Sequence, residues 1–246
     1  SWSWSTKIEL FKHFECDDTG EMKEYVGNKV ERMDGAVKLT QPVLLQSFTD
    51  EFKFQWDHKV MNPAVPGSVL HPTEGKLSSD DLFTYRSGTG KLLHLMKWSR
   101  PEIGNAVWEL SRYMSNAGMS HMKALYRVMN YCLNTSERGK VFKPRRTCKH
   151  EDIANFEFIV DGYSDSDYAK DPIKRRSVSG FCSFLEGCVL NTKSRMQLIT
   201  SLSAVTEAEL VAATECAQDL LFIKNVLESI GLKVRTPMNL NIDNSG

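Results

Sequence analysis

Three acidic residues stand where their type and spacing could do chemistry: Asp165, Glu209 and Asp243. Asp165 follows a stretch that alternates apolar and polar residues, Glu209 falls in the first turns of a long helical segment, and Asp243 closes a second short alternating run. A hard cation such as Mg²⁺ takes oxygen ligands and binds through a few carboxylates, keeping several waters for a phosphate. Two such ions about 3.5–4 Å apart can clamp the attacking and leaving oxygens of a phosphodiester. Carboxylates from two strand ends and a helix start, converging on one rim, suit that work. Ordinary explanations stand beside it. Asp165 and Asp167 are common turn formers after a strand, Glu209 completes a Thr206-x-x-Glu209 capping box, and Asp243-Asn244 is a turn dipeptide. Type and spacing leave both readings open.

The elements that must position these carboxylates lie in a chain of 246 residues, long enough for one large domain or two ordinary ones. Hydrophobic residues make up 41% and charged residues 25%, the balance of a globular chain rather than a disordered one. The formal net charge is zero, so any nucleic-acid binding has to come from local basic patches. Cys16, Cys132, Cys148, Cys182, Cys188 and Cys216 form no Cys-x-x-Cys pair, and Cys148 with His150 lacks a second ligand pair. These are expected to be reduced thiols of an intracellular protein rather than zinc ligands. No apolar run approaches the ~20 residues of a membrane helix, so no membrane partner is expected. The Ser1-Trp2-Ser3-Trp4-Ser5 start has neither the basic flank nor the apolar stretch of a signal peptide. Opening on Ser1 and stopping at Gly246, the sequence reads as a piece of something longer.

Ile8, Phe11 and Phe14 have helical spacing, and alternation around Asp34-Gly35 predicts a hairpin with strands near 24–32 and 36–40. A short helix follows Pro42. The segment 57–80, with Pro63, Pro66, Pro72, Gly67 and Gly75, reads as a connector. Helices are predicted over about 80–97, 102–115 and 120–133, the second with Pro101 in its first turn and the third with Ser120 as N-cap. Gly88 and Gly90 weaken the first, by roughly 1 kcal/mol each relative to alanine. Trp98 and Trp108 are expected to pack a helix core rather than stack on bases. A basic stretch, 136–153, reads as a solvated linker, with a segment beside a nucleic-acid channel as the second reading. Beyond it, FEFIVDGYSD, SVSGFCSFL and CVLNTKS predict a three-stranded meander turning at Glu186-Gly187. A helix over 204–230 ends at Gly231, and MNLNID is a fourth strand: β-β-β-α-β.

Five ordered blocks carry a resemblance to the ribonuclease H domain of copia-type retrotransposon Pol polyproteins. They are Gly162–Ala169 against G-Y-S-D-A-D-W-A, Asp171–Gly180 against D-P-x-x-R-x-S-x-S-G, and Lys193–Gln197 against K-S-x-x-Q. Ser203–Ala212 resembles S-x-x-E-A-E-Y/L-x-A with one residue more before Glu207, and Ile242–Asn244 ends on the Asp-Asn of I-x-x-D-N. Upstream, EMKEYVGNKVER and the run from Tyr85 to Gly139 resemble the same polyproteins' C-terminal reverse transcriptase segment.

The resemblance implies an α/β protein with an α+β N-terminal part. Residues 1–135 would be the last palm strands and the thumb or connection helices, 136–153 a basic linker, and 154–246 a truncated, ribonuclease H-like mixed-sheet domain. It places the family's metal-binding carboxylates on Asp165, Glu209 and Asp243, with Asp167 as second choice and a fourth carboxylate beyond Gly246. It implies Mg²⁺ (or Mn²⁺) as cofactor and two-metal hydrolysis of RNA within an RNA–DNA hybrid. Lys174, Arg175, Arg176, Lys193 and Arg195 are its candidate phosphate contacts, with solvated surface charge the equal alternative. The implied partners are the hybrid and the remainder of Pol, in a cytoplasmic particle and the nucleus.

The polymerase's Tyr-x-Asp-Asp carboxylates lie upstream of this sequence, and Cys16-Asp17-Asp18-Thr19 sits where the family has an ordinary turn. Gly88, Lys91 and Asn191-Thr192 depart from the family pattern and suggest a divergent or decaying copy. The rival reading is a non-catalytic remnant that binds nucleic acid by charge. Integrase-type chemistry fits less well, because the glutamate precedes the last aspartate and sits on the first long helix.

Overall fold

The computed structural model describes residues 11–18, 20–52, 59–73, 75–149, 152–153, 155–168, 171, 175–198 and 205–242. Strands β1 (Glu24–Tyr25), β2 (Asn28–Met33) and β3 (Ala36–Thr40) form an antiparallel sheet. Met33 pairs with Ala36 across the two-residue Asp34-Gly35 turn, where Gly35 takes a φ of 64°. Helix α1 (Pro42–Phe52) follows, and after the connector come α2 (Ser79–Trp98), α3 (Gly104–Ser111) and α4 (Met119–Asn134). Pro101–Ile103 is a 3₁₀ turn, so the predicted second helix is shorter than its pattern suggested.

Phe48, Phe52, Leu92, Leu95, Leu125 and Met129 interlock in the core of these helices. Gly88 explains itself here: a Cβ on it would lie 2.8 Å from Leu125 and Met129 and 2.9 Å from Phe52. The residue that lowers helix propensity lets three helices touch. Ser120 is not the cap of α4. Gly118 holds that position, its N–H donates to His121 Nδ1 at 2.9 Å, and a Cβ there would strike Thr73 Oγ1. Buried Arg100 donates to the Thr135 carbonyl at 3.1 Å and its hydroxyl at 2.6 Å, closing the C-terminal end of α4 where cations complement the helix dipole.

The basic stretch is more than a linker. Lys140–Phe142 forms β4 on the free edge of β3, and the Arg145 N–H donates to the Glu186 carbonyl at 2.7 Å. Alternation alone could not show this, because three residues are too few to establish a period.

The C-terminal part has β5 (Glu157–Phe158), β6 (Val160–Asp167), β7 (Val178–Leu185), β8 (Cys188–Met196), α5 (Val205–Ser229), β9 (Lys233–Val234) and β10 (Asn239–Ile242). β6, β7 and β8 form the predicted meander, and Glu186 and Gly187 both take positive φ (49° and 80°), as a two-residue hairpin turn of this twist requires. β10 joins parallel to β6, giving the order β10-β6-β7-β8. A separate parallel pair, β5–β9, went unpredicted from two-residue segments. The architecture is mixed α/β, and the helix crossover between β8 and β10 satisfies the need of parallel strands for a long connection.

Candidate functional site

The pleat of β6 sorts its residues onto two faces. Gly162, Ser164 and Ser166 face α5; a Cβ at Gly162 would meet Cys216 Sγ at 2.6 Å and a Leu220 methyl at 3.0 Å, so glycine lets the helix lie directly on the strand. Tyr163, Asp165 and Asp167 face away from the helix, into a cleft of about 1000 Å³. The opposite wall of that cleft comes from the helical part, through Met96, Glu102, Asn105 and Trp108.

Asp165 is exposed, and its Oδ1 accepts the N–H of Ser166 at 2.8 Å. Glu209 is 6% exposed. Its Oε1 accepts the Ser166 hydroxyl at 2.9 Å, and its Oε2 is buried with no hydrogen-bond partner among the described residues. Since the described helix begins at Val205, Thr206 lies inside its first turn, and the Glu209 carboxylate goes to a strand residue rather than to a cap. Asp165 and Glu209 thus flank the end of β6 from opposite faces. Asp243 lies outside the described residues; β10 ends at Ile242, paired with Ser164. Among the described residues no group of three or more Asp, Glu, His or Cys side chains is placed to hold a metal ion.

The candidate phosphate contacts differ in their surroundings. Lys193 pairs with Glu215 at 2.9 Å and lies over the Phe181 ring. Arg175 and Arg195 are exposed, Arg176 is half-buried, and Lys174 lies outside the described residues. Asp18 accepts the N–H of Gly20 at 2.9 Å, the behaviour of a turn residue. The cysteines are free thiols, and burial pushes Cys216 up to about 11 and Cys132 up to about 12, which keeps both neutral.

Sequence reasoning missed the roles of four residues around the site. Trp108 is half-buried on the cleft wall rather than in the helix core, with the Arg112 guanidinium 5.2 Å from its ring centre. Arg112 bonds Asp171, which is 3% exposed, and so ties α3 to the sheet part. Gln197, 1% exposed, donates from Nε2 to Ser179 Oγ and to the Ala208 carbonyl, both at 2.9 Å. Only the Asp171–Gly180 and Lys193–Gln197 blocks pointed at two of them, and without a role.

The chain is 28% identical over 236 residues to the Retrovirus-related Pol polyprotein from transposon TNT 1-94 of Nicotiana tabacum, covering 92% of this chain and 17% of that protein. Against the Retrovirus-related Pol polyprotein from transposon RE1 of Arabidopsis thaliana it is 25% identical over 242 residues, 98% of this chain and 16% of the other. It is also 34% identical over 139 residues to Secreted RxLR effector protein 161 of Plasmopara viticola, 56% of this chain and 90% of that one. The chain therefore spans about a sixth of the length of the Pol polyproteins that it matches. No family model matches it. No solved structure matches it.

Proposed function

The chain belongs to the copia-type retrotransposon Pol polyprotein family, and on that premise we propose that it carries the C-terminal segment of the reverse transcriptase and part of the ribonuclease H domain. In the parent Pol protein the second part hydrolyses the RNA strand of an RNA–DNA hybrid, with Asp165, Glu209 and Asp243 as its acidic residues. The observation that carries this reading is the sheet. A three-stranded meander, a helix crossover and a parallel strand beside β6 bring Asp165 and Glu209 to the same end of one strand.

Mg²⁺, or Mn²⁺ in its place, is the proposed cofactor. The described residues do not by themselves fit such an ion, because Asp165 and Glu209 lie on opposite faces of β6 and no three-ligand group is assembled. What the residues support is a division of labour: an exposed carboxylate on the cleft side, and a buried one held by a serine on the helix side with one oxygen left over. Arg175 and Arg195 are proposed to meet phosphates of the hybrid, while Lys193 is neutralised by Glu215.

The test is cleavage of a labelled RNA–DNA hybrid with Mg²⁺ by the Pol protein that contains this segment. Asp165→Asn is expected to lower kcat by about 100-fold or more, the equivalent of roughly 2.7 kcal/mol. Full activity in that variant would sink the assignment. The second reading is a nucleic-acid-binding remnant, for which the exposed guanidinium groups of Arg175 and Arg195 would supply the charge. Binding that falls steeply with salt, persists in Asp165→Asn and yields no cleavage is its signature.

A further inference from the structure

Gln197 follows β8 directly and its side chain reaches the first turn of α5. A buried carboxamide is costly if its groups go unpaired, so packing alone favours an apolar side chain of the same volume. Here both partners of Nε2 adjoin the residues that hold Glu209. One, Ser179, is the cross-strand register partner of Ser166. The other, the Ala208 carbonyl, belongs to the residue before Glu209. The backbone N–H of Gln197 also donates to the Ser177 carbonyl at 2.9 Å, so the bracket is anchored on β7 at Ser179 and on the residue just before that strand. It closes on itself: Gln197 joins β7 to α5, and Ser166, paired with Ser179, joins β6 to Glu209.

We propose that Gln197 is a positioning residue for Glu209. Its carboxamide sets the first turn of α5 against β7, and Ser166 then orients the carboxylate, leaving Oε2 presented in one place. The inference rests on the hydrolase reading above and names two residues, Gln197 and Ser166, that act on the reaction through Glu209 without touching substrate.

The test uses the parent Pol protein in the hybrid assay, together with hydrogen exchange along α5. Gln197→Leu keeps the volume and removes both donors. It is expected to lower kcat about tenfold or more with KM changed less than about twofold, because small displacements of a reacting group are costly. Amide exchange should rise across 205–212 while 213–229 keeps its protection. Ser166→Ala should give a similar loss, and the double variant should lose little beyond either single one, since both act through one carboxylate.

Additive losses in the double variant, or unchanged kcat in a folded Gln197→Leu, overturn the proposal. So does exchange that rises uniformly along α5. If Gln197→Leu does not fold, Ser179→Ala removes one acceptor with a smaller lesion and carries the same comparison. Cleavage that survives Asp165→Asn strikes the hydrolase reading instead. Cleavage lost in Asp165→Asn but intact in Gln197→Leu strikes this inference alone.

Discussion

Around α1 to α4 the buried side chains are mostly apolar and large, and Phe48, Leu92, Leu95, Ile103 and Leu125 are wholly enclosed. Between α5 and the β6–β8 meander the apolar cluster is small, made of Val160, Phe181, Cys216, Leu220, Ile223 and Val234. Much of the remaining buried volume there is polar: Ser164, Ser177, Ser179, Ser183, Gln197 and Glu209. Both halves bury hydrogen-bonded polar groups, Arg100, His121 and Thr135 in the helical one, and they differ in the apolar surface packed around them. Apolar burial is strong and has no preferred direction, so it holds helices together without fixing any one atom. Hydrogen bonds contribute only about 1 kcal/mol each net, but they demand particular distances and angles. The half that carries the candidate carboxylates leans more on such ties, because its apolar cluster is the smaller one.

That contrast predicts its own ranking of lesions. Leu125→Ala, in the centre of the helical core, is expected to cost about 2–5 kcal/mol in urea or thermal unfolding. Leu220→Ala in the smaller cluster should fall toward the lower end of that range; equal costs would break the comparison. Next comes the tie between the halves. Asp171→Ala leaves Arg112 with only the longer contact to Glu109 at 3.4 Å, a loss of about 2 kcal/mol. It should also separate one unfolding transition into two, and a single unchanged transition would mean that the halves are coupled by other contacts. Ser183→Ala removes a 2.6 Å hydrogen bond to Asp219 on α5. Its stability cost should be about 1 kcal/mol, with a local rise in α5 exchange larger than that cost suggests.

The smallest effect is acid dependence at the hairpin turn. Burial alone would raise the Glu186 carboxyl, but the hydrogen bonds and charge of Arg146, with the Ile159 N–H, hold it below the ordinary carboxylate range. A carboxyl lowered by folding contributes stability that is present above its unfolded value, near 4.3. That contribution disappears as the pH falls through the lowered folded value. Glu186→Gln should therefore flatten part of the loss of stability below about pH 4, measured by denaturation across pH 3 to 7. An unchanged acid limb would show that Arg146 contributes nothing there.

Much of the fold was legible because long periodic segments announce themselves. The helices α2, α4 and α5, the β2–β3 hairpin and the β6–β8 meander all stand close to where alternation and helical spacing place them. Segments of two or three residues, β4, β5 and β9, carry no period and surface only through their partners. Local rules also misled in instructive ways. Ser120 has the chemistry of a cap, yet the tight approach to Thr73 makes Gly118 the cap. Thr206 and Glu209 have capping-box spacing, yet Glu209 turns to Ser166 because a strand lies within its reach.

The three carboxylates are where the division is clearest. By itself the sequence determined that Asp165 lies near the end of a strand and Glu209 near the start of a helix, since periodicity is written along the chain. Which of them meet was decided only by tertiary structure, because a pleated strand sends adjacent residues to opposite faces. So Asp165 lines a cleft shared with Trp108, while Ser166, one residue on, reaches Glu209. The same is true of Gln197 and Arg112: their partners lie 11 and 59 residues away in sequence, beyond the range of any local pattern, and only packing brings them together.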